Sequence, residues 1–272
     1  VAQLSGPLAD RRLPRAADAV ARLRLEARAT LNAIDLRVAD ATLGNAKASA
    51  AGKLVRSGAQ SPWRASGKLR LADFDPLPWW PGRTDALLAR GASRLSGEAE
   101  FDLMLAKSAT LPVLDVIAAT RGRASARVLP STLVGVAVEG TASYVNDDGS
   151  ARPAFEVVAA GNKASGQGRL AAAGSSADEW RLVIEAPALD RLAPWFGPVA
   201  ARRSESSIVG RLAANAHLRG RWPALQTDGE LRGAEFRYAG YRVRRAEAHW
   251  RIDSAADTPL DATLALDGVD AA

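Results

Sequence analysis

Apolar and polar residues alternate with a period of two along most of this chain. In "EAEFDLML" (98–105), Phe101, Leu103 and Leu105 share one side. Val136 and Val138 do the same, as do Leu182 and Ile184, Phe236 and Tyr238, and near the end Leu260, Ala262, Leu264 and Leu266. Alternation over short stretches bounded by Gly, Asn, Asp or Pro predicts half-buried strands. Turn signals fall at "NDDGS" (146–150), "AGN" (160–162), "RWP" (221–223) and "TDG" (227–229). Helical patterns are scarce. They are 15–29, alanine-rich after Pro14 and equally readable as strand from Leu23 onward, and short turns at 85–90 and 189–195. The polar side of the strands reads as weakly polar, with many Ala and Gly. The apolar side is Leu, Val and Ile with few aromatics. The chain is therefore expected to be mostly β, an elongated antiparallel-rich sheet that coils rather than a compact barrel.

The pattern repeats. "KASAAGKL" (47–54) matches "KASGQGRL" (163–170) at an offset of 116, and Trp63 matches Trp180 at 117. "FDPLPWWPG" (74–82) faces "LDRLAPWFGP" (189–198), with Trp79 against Trp195. "RLSGEAEFDLML" (94–105) faces "SIVGRLAANAHL" (207–218), with Gly97 against Gly210. Four matches in one order give tandem units of roughly 115 residues. We divide them as 1–95, ending at the PWWPG corner, 96–206, ending at the PWFGP corner, and a partial unit 207–272. All three belong to one continuous sheet. What recurs is an aromatic corner, where Pro interrupts strand pairing and a ring covers the end of an apolar layer.

The corner and the stretch "GRLAANAHLRGRWPALQTDGELRGAEFRY" (210–238), with Gly220, Trp222, Pro223, Leu225, Gly229 and Leu231 in phase, carry a resemblance. The chain resembles the TamB (translocation and assembly module) proteins, of the AsmA-like group of bridging lipid-transport proteins of Gram-negative bacteria. The likeness covers nearly the whole chain, through a loose pattern whose specificity lies in its order. It implies a U-shaped, taco-like trough with an apolar interior, lying in the periplasm and carrying phospholipid acyl chains between inner and outer membranes. It also implies an inner-membrane anchor and an outer-membrane barrel partner of the Omp85 type, engaged through a region outside this sequence. The expected lining is Leu69, Leu71, Phe101, Leu103, Leu105, Val136, Val138, Leu182, Ile184, Leu212, Leu231, Phe236, Leu264 and Leu266. Trp63, Trp79, Trp80, Trp180, Trp195 and Trp222 are the expected structural corners. The alternative is a β-repeat scaffold that binds outer-membrane protein precursors or glycans.

Composition narrows the chemistry. The chain has no cysteine, which removes disulfides, thiolate metal sites and thiol nucleophiles and suits an oxidising compartment. No apolar run is long enough for a membrane helix. The sequence begins in mid-pattern, without a charged-then-apolar leader, and reads as a piece of a longer protein. The net charge of +6 sits in one stretch, since 201–251 holds eleven Arg against five acids. There Arg232, Arg237, Arg242 and Arg244 alternate with apolar residues, which places them on solvated faces and argues against nucleic acid. The string Pro78-Trp79-Trp80-Pro81 is also the name motif of a family of chromatin readers, but its repeat partner lacks it and no compact barrel surrounds it. His217 and His249 are the only histidines, too far apart and too poor in acidic neighbours for a metal site or a nucleophile–base pair. The expectation is a binding protein with no catalytic residue, cofactor or metal.

Overall fold

The computed structural model describes residues 2–7, 20–77, 91–106, 113–171, 178–196, 208–221, 224–238, 240–254 and 260–271. Within them the period-two segments become strands: β1 (Ala2–Pro7), β2 (Val20–Ala29), β3 (Ala33–Leu43), β4 (Ala46–Val55) and β5 (Arg64–Phe74). Then follow β6 (Leu95–Met104), β7 (Arg121–Leu133), β8 (Val136–Asn146), β9 (Arg152–Ala159) and β10 (Asn162–Arg169). The series ends with β11 (Glu179–Ala186), β12 (Val209–Arg221), β13 (Ala224–Tyr238), β14 (Tyr241–Asp253) and β15 (Leu260–Ala271). They form one 15-stranded sheet whose spatial order is the chain order. Every pair of neighbours is antiparallel, as short links between strands require. The sheet is open, with β1 and β15 at its margins. The segments matched at offsets near 115 fall on strands six places apart, β4 with β10, β5 with β11 and β6 with β12.

Of the two readings open for the alanine-rich segment the strand holds, from Val20, because Leu23 and Leu25 alternate with Arg22 and Arg24 and stand opposite Ala41 and Ala39. Cross-strand pairing outweighs the helix preference of alanine. Thr227–Asp228–Gly229, expected as a turn, lies inside β13. There Asp228 stands between His217 and Arg251, and Gly229 lies beneath the Trp250 ring. The short helix expected at 189–195 is present as a 3-10 turn (Leu189–Leu192) that runs into α2 (Ala193–Phe196). A further helix, α1 (Val113–Ala119), lies between β6 and β7. The turn expected at 85–90 lies outside the described residues.

The register sorts the residues onto two unlike faces. Directly opposed residues of an antiparallel sheet project to the same side, and the side alternates along each strand. From β5 to β15 one row reads Leu71, Gly97, Val128, Gly140, Val157, Ala164, Ile184, Ala214, Leu231, Ala248, Leu264. Large side chains stand on the odd-numbered strands and Gly or Ala on the even ones. The row two residues away reads Leu69, Ala99, Ala126, Ala142, Phe155, Gly166, Leu182, Ala216, Gly229, Trp250, Ala262. Between these two rows, on the other face, lie Arg70, Glu98, Arg127, Thr141, Glu156, Ser165, Val183, Asn215, Glu230, His249 and Thr263. Most of the alanines and glycines assigned from sequence to a weakly polar side thus belong to the apolar face, and the opposite face is charged.

Among the described residues much of the apolar face stays exposed. The chain exposes 17738 Å², whereas a compact protein of its mass exposes about 11,000 Å². Two small apolar clusters form instead, near opposite ends of the strands. One joins Val136, Val138, Ala159 and Leu192, the other Ala118, Ala151 and Leu170.

The β9–β10 hairpin turns on Ala160 (φ 48°) and Gly161 (φ 85°). Both central residues are left-handed, as a type I′ turn demands, and alanine is strained there. Ala160→Asn supplies a residue suited to that conformation and is expected to raise stability by about 1 kcal/mol. Urea unfolding checks it, and an unchanged or lower midpoint counts against the strain.

Candidate functional site

The expected lining residues meet on the apolar face. Leu71, Ile184, Leu231 and Leu264 lie in one row, and Leu69 and Leu182 in the next. Phe101 follows, opposite Gly67 and Ala124, then Leu103, opposite Ala65 and Gly122. On the other flank Val138 opposes Ala159, Leu212 opposes Ala186 and Gly233, and Leu266 opposes Ala246, with Val136 two residues beyond Val138. Phe236 has the wrong parity for this face, yet its ring lies against Gly233 and Gly210. Glu235, at φ 56°, turns the backbone so that Phe236 regains the side of Leu231. Leu105 lies just past β6, with its N–H on the Trp63 carbonyl at 2.8 Å.

Not all of this face is open, because two connections fold back onto it. α1 reaches one end of β7 and β8. There Tyr144 Oη donates to the Ile117 carbonyl at 2.6 Å and also lies against the Thr120 carbonyl. Asn146, fully buried, donates through Nδ2 to the carbonyls of Ala118 and Thr120 at 2.9 and 2.8 Å. Its Oδ1 accepts from the Gly149 N–H at 3.0 Å. These carbonyls end a helix and have no partner within it. Burial pushes the Tyr144 phenol above its ordinary value, and the Asn146 amide partly offsets that. At the other strand end the 3-10 turn and α2 cover Val136, Val138 and Ala159. Asn162 holds them by giving Nδ2 to the Ala188 carbonyl at 2.9 Å and accepting from the Ala188 N–H at 3.0 Å. Trp195 Nε1 donates to the Leu133 carbonyl at 2.9 Å.

Between the two latched segments an apolar strip remains uncovered and runs across the strands. Val128, Phe155, Val157 and Ile184 are 40%, 36%, 41% and 39% exposed, and Leu69 is 47% exposed. Strand-centre aliphatics of a closed fold would be buried. Val136 and Val138, expected to line an opening, are instead closed beneath the second segment.

The opposite face is a field of exposed ion pairs. Arg64 meets Asp102, Lys68 meets Glu100 at 2.6 Å, and Arg244 meets Asp267 at 2.9 Å. Arg64 and Arg244, through their hydrogen bonds, hold the Asp102 and Asp267 carboxyls below their ordinary range. Hollows on this face lie between charged side chains, one bordered by Glu98, Glu100, Arg127, Glu156 and Lys163. Ion-lined hollows suit water, not apolar ligands. Of the arginines read from sequence as solvated, Arg232 pairs with Glu230 at 3.1 Å, and Arg237 and Arg242 stand opposite each other. His217 accepts at Nε2 from Arg181 Nε at 2.9 Å, and His249 lies opposite Glu230 and Thr263. Among the described residues no group of three or more His, Asp or Glu is placed to hold a metal ion.

The described tryptophans support corners and floor. Arg56 lies 4.7 Å from the Trp63 ring centre and donates to the Leu31 carbonyl at 2.9 Å, tying two neighbouring loops. Trp180 packs on Ala118, Ala151 and Leu170. Trp250 lies within β14, over Gly229. Trp79, Trp80 and Trp222 lie outside the described residues. Sequence reasoning missed the two latching asparagines by taking them for turn residues. The signal was their phase, since Asn146 continues the apolar run of Ala142 and Tyr144, and Asn162 that of Ala164 and Gly166. No family model matches this chain, and it matches neither a curated protein nor a solved structure.

Proposed function

We propose that this chain is a non-enzymatic segment of a bridge-like periplasmic protein, related to the TamB group, that carries phospholipid acyl chains on its apolar face between the inner and outer membranes. The observation that carries the reading is the uncovered strip. Apolar rows cross strand after strand, large side chains along them stay exposed, and the only segments folded onto the face among the described residues sit near the strand ends. A monomer in water rarely leaves more than roughly a few hundred Å² of contiguous apolar surface bare. Acyl chains cover such a strip, each CH₂ contributing about 0.8 kcal/mol on burial. Among the described residues the strip's rows carry no charged side chain, so a lipid tail meets many weak and similar contacts, and its headgroup stays outside. Alanine and glycine on this face leave less bulk there than on the charged face, so the sheet curls toward it into a trough.

Native mass spectrometry of the purified chain, with lipid extraction of the same sample beside an unrelated β-protein, tests the reading. Retained phospholipid is the expected result. A lipid-free, stable chain sinks it and moves the reading to a scaffold for protein precursors or glycans.

A further inference from the structure

On the apolar face five rings lie over glycines of the sheet. A Cβ placed on Gly166 would come within 2.7 Å of Phe155 Cζ and 2.9 Å of Leu182 Cδ2, from strands on either side. One on Gly168 would meet the Trp180 ring at 2.7 Å, and one on Gly229 the Trp250 ring at 2.8 Å. Gly67 lies likewise beneath Phe101, and Gly233 beneath Phe236. None of these five glycines holds a positive φ. Their φ angles therefore do not require glycine, and an interior glycine weakens a strand. At Gly166, Gly168 and Gly233 what excludes a side chain is the ring lying across the position, whereas at Gly67 and Gly229 the Ala51 and Asn215 carbonyl oxygens crowd it as well.

We propose that these glycines set the relief of the binding face, and that Gly166 is the depth-setting position of the open strip. With these five rings laid over glycines and every large aliphatic of the Leu71–Leu264 row flanked by Gly or Ala, none of the five rings stands across the path of a tail. This rests on the lipid reading above and narrows the cargo to flexible, unbranched acyl chains that move across the strands without a fixed register. A ligand held in one pose needs deep pockets between upright rings, and rings laid over glycines do not form them. Ring-on-glycine packing also stabilises a sheet by itself, so the test must separate movement from stability.

Gly166→Val places a residue favoured in strands where the Phe155 ring lies, and lifts that ring into the strip. The 272-residue chain is loaded with phosphatidylethanolamine bearing a fluorescent acyl chain, and its exchange into phosphatidylethanolamine vesicles is timed. Gly166→Val is expected to slow exchange by about tenfold through overpacking. Adding Phe155→Ala vacates the space and is expected to restore the wild-type rate. Thermal melting follows each variant. If Gly166→Val melts lower but exchanges at the wild-type rate, the glycine serves stability alone and the inference falls. If the double variant stays slow, depth is not what the glycine sets. Both of those results leave the lipid reading standing, whereas a wild-type chain that takes up no lipid removes the two together.

Discussion

In a Val157→Arg/Ile184→Arg variant, the phospholipid recovered with the purified chain is expected to fall by more than about tenfold relative to wild type. The two positions lie on β9 and β11 in one row, separated by Ala164, in the middle of the open strip. A guanidinium among acyl tails costs about 2.5–3.5 kcal/mol, and each 1.4 kcal/mol is about tenfold in occupancy. Both side chains are more than a third exposed, at 41% and 39%, so arginine displaces no packed core and the sheet is expected to form. Val183→Arg is the control. Val183 neighbours Ile184 in sequence but lies in the charged row, between Ser165 and Asn215, and arginine there is expected to leave lipid recovery unchanged. Lipid retained by the double variant at the wild-type level would mean that it sits elsewhere. Loss in Val183→Arg as well would mean that added charge, not the apolar face, sets recovery.

That contrast depends on parity, and parity is the part of this fold that the sequence makes plain. Alternation places Leu182 and Ile184 together without any coordinates, and it does the same for Phe101 and Leu103. Counting residues does not relate one strand to the next, because loop lengths and bulges intervene. Leu71 and Phe74 differ by an odd number, yet the register shifts between them and Asp73, at φ 53°, resets the side. Glu235 does the same before Phe236. The large–small alternation across strands is likewise invisible along the chain, since Leu231 and its neighbours Ala214 and Ala248 lie 17 residues away on either side. The coverage of the face was hidden for another reason. Val136 and Val138 carry the same pattern as Val157. Only the fold of residues 188–196 decides that the first two are closed over, and that is a tertiary fact fixed by Asn162 and Trp195.

The largest expected effect on stability belongs to the other latch. Asn146→Ala is expected to lower unfolding free energy by about 2–4 kcal/mol. The amide is fully buried and meets the carbonyls of Ala118 and Thr120, while its oxygen takes the Gly149 N–H. Alanine leaves those groups short of partners in a place closed to water, and each unsatisfied buried group costs about 1–3 kcal/mol. Tyr144 still reaches the Ile117 and Thr120 carbonyls, which sets the upper bound. Asn146→Asp is expected to do more harm, since an ionised carboxylate has no proton to give and would face two carbonyl oxygens. Urea unfolding measures the loss. Hydrogen exchange locates it, with faster exchange expected at Thr120, whose N–H bonds back to Val116, and little change at the β12–β13 pairing. A uniform loss across the sheet would instead mark Asn146 as part of one cooperative core. A local loss means that Tyr144 alone does not hold α1 down and that the exposed width of the apolar face depends on Asn146. In that case Asn146→Ala also exposes more apolar surface beside Trp180, and the same chain is expected to recover at least as much phospholipid as wild type while being less stable.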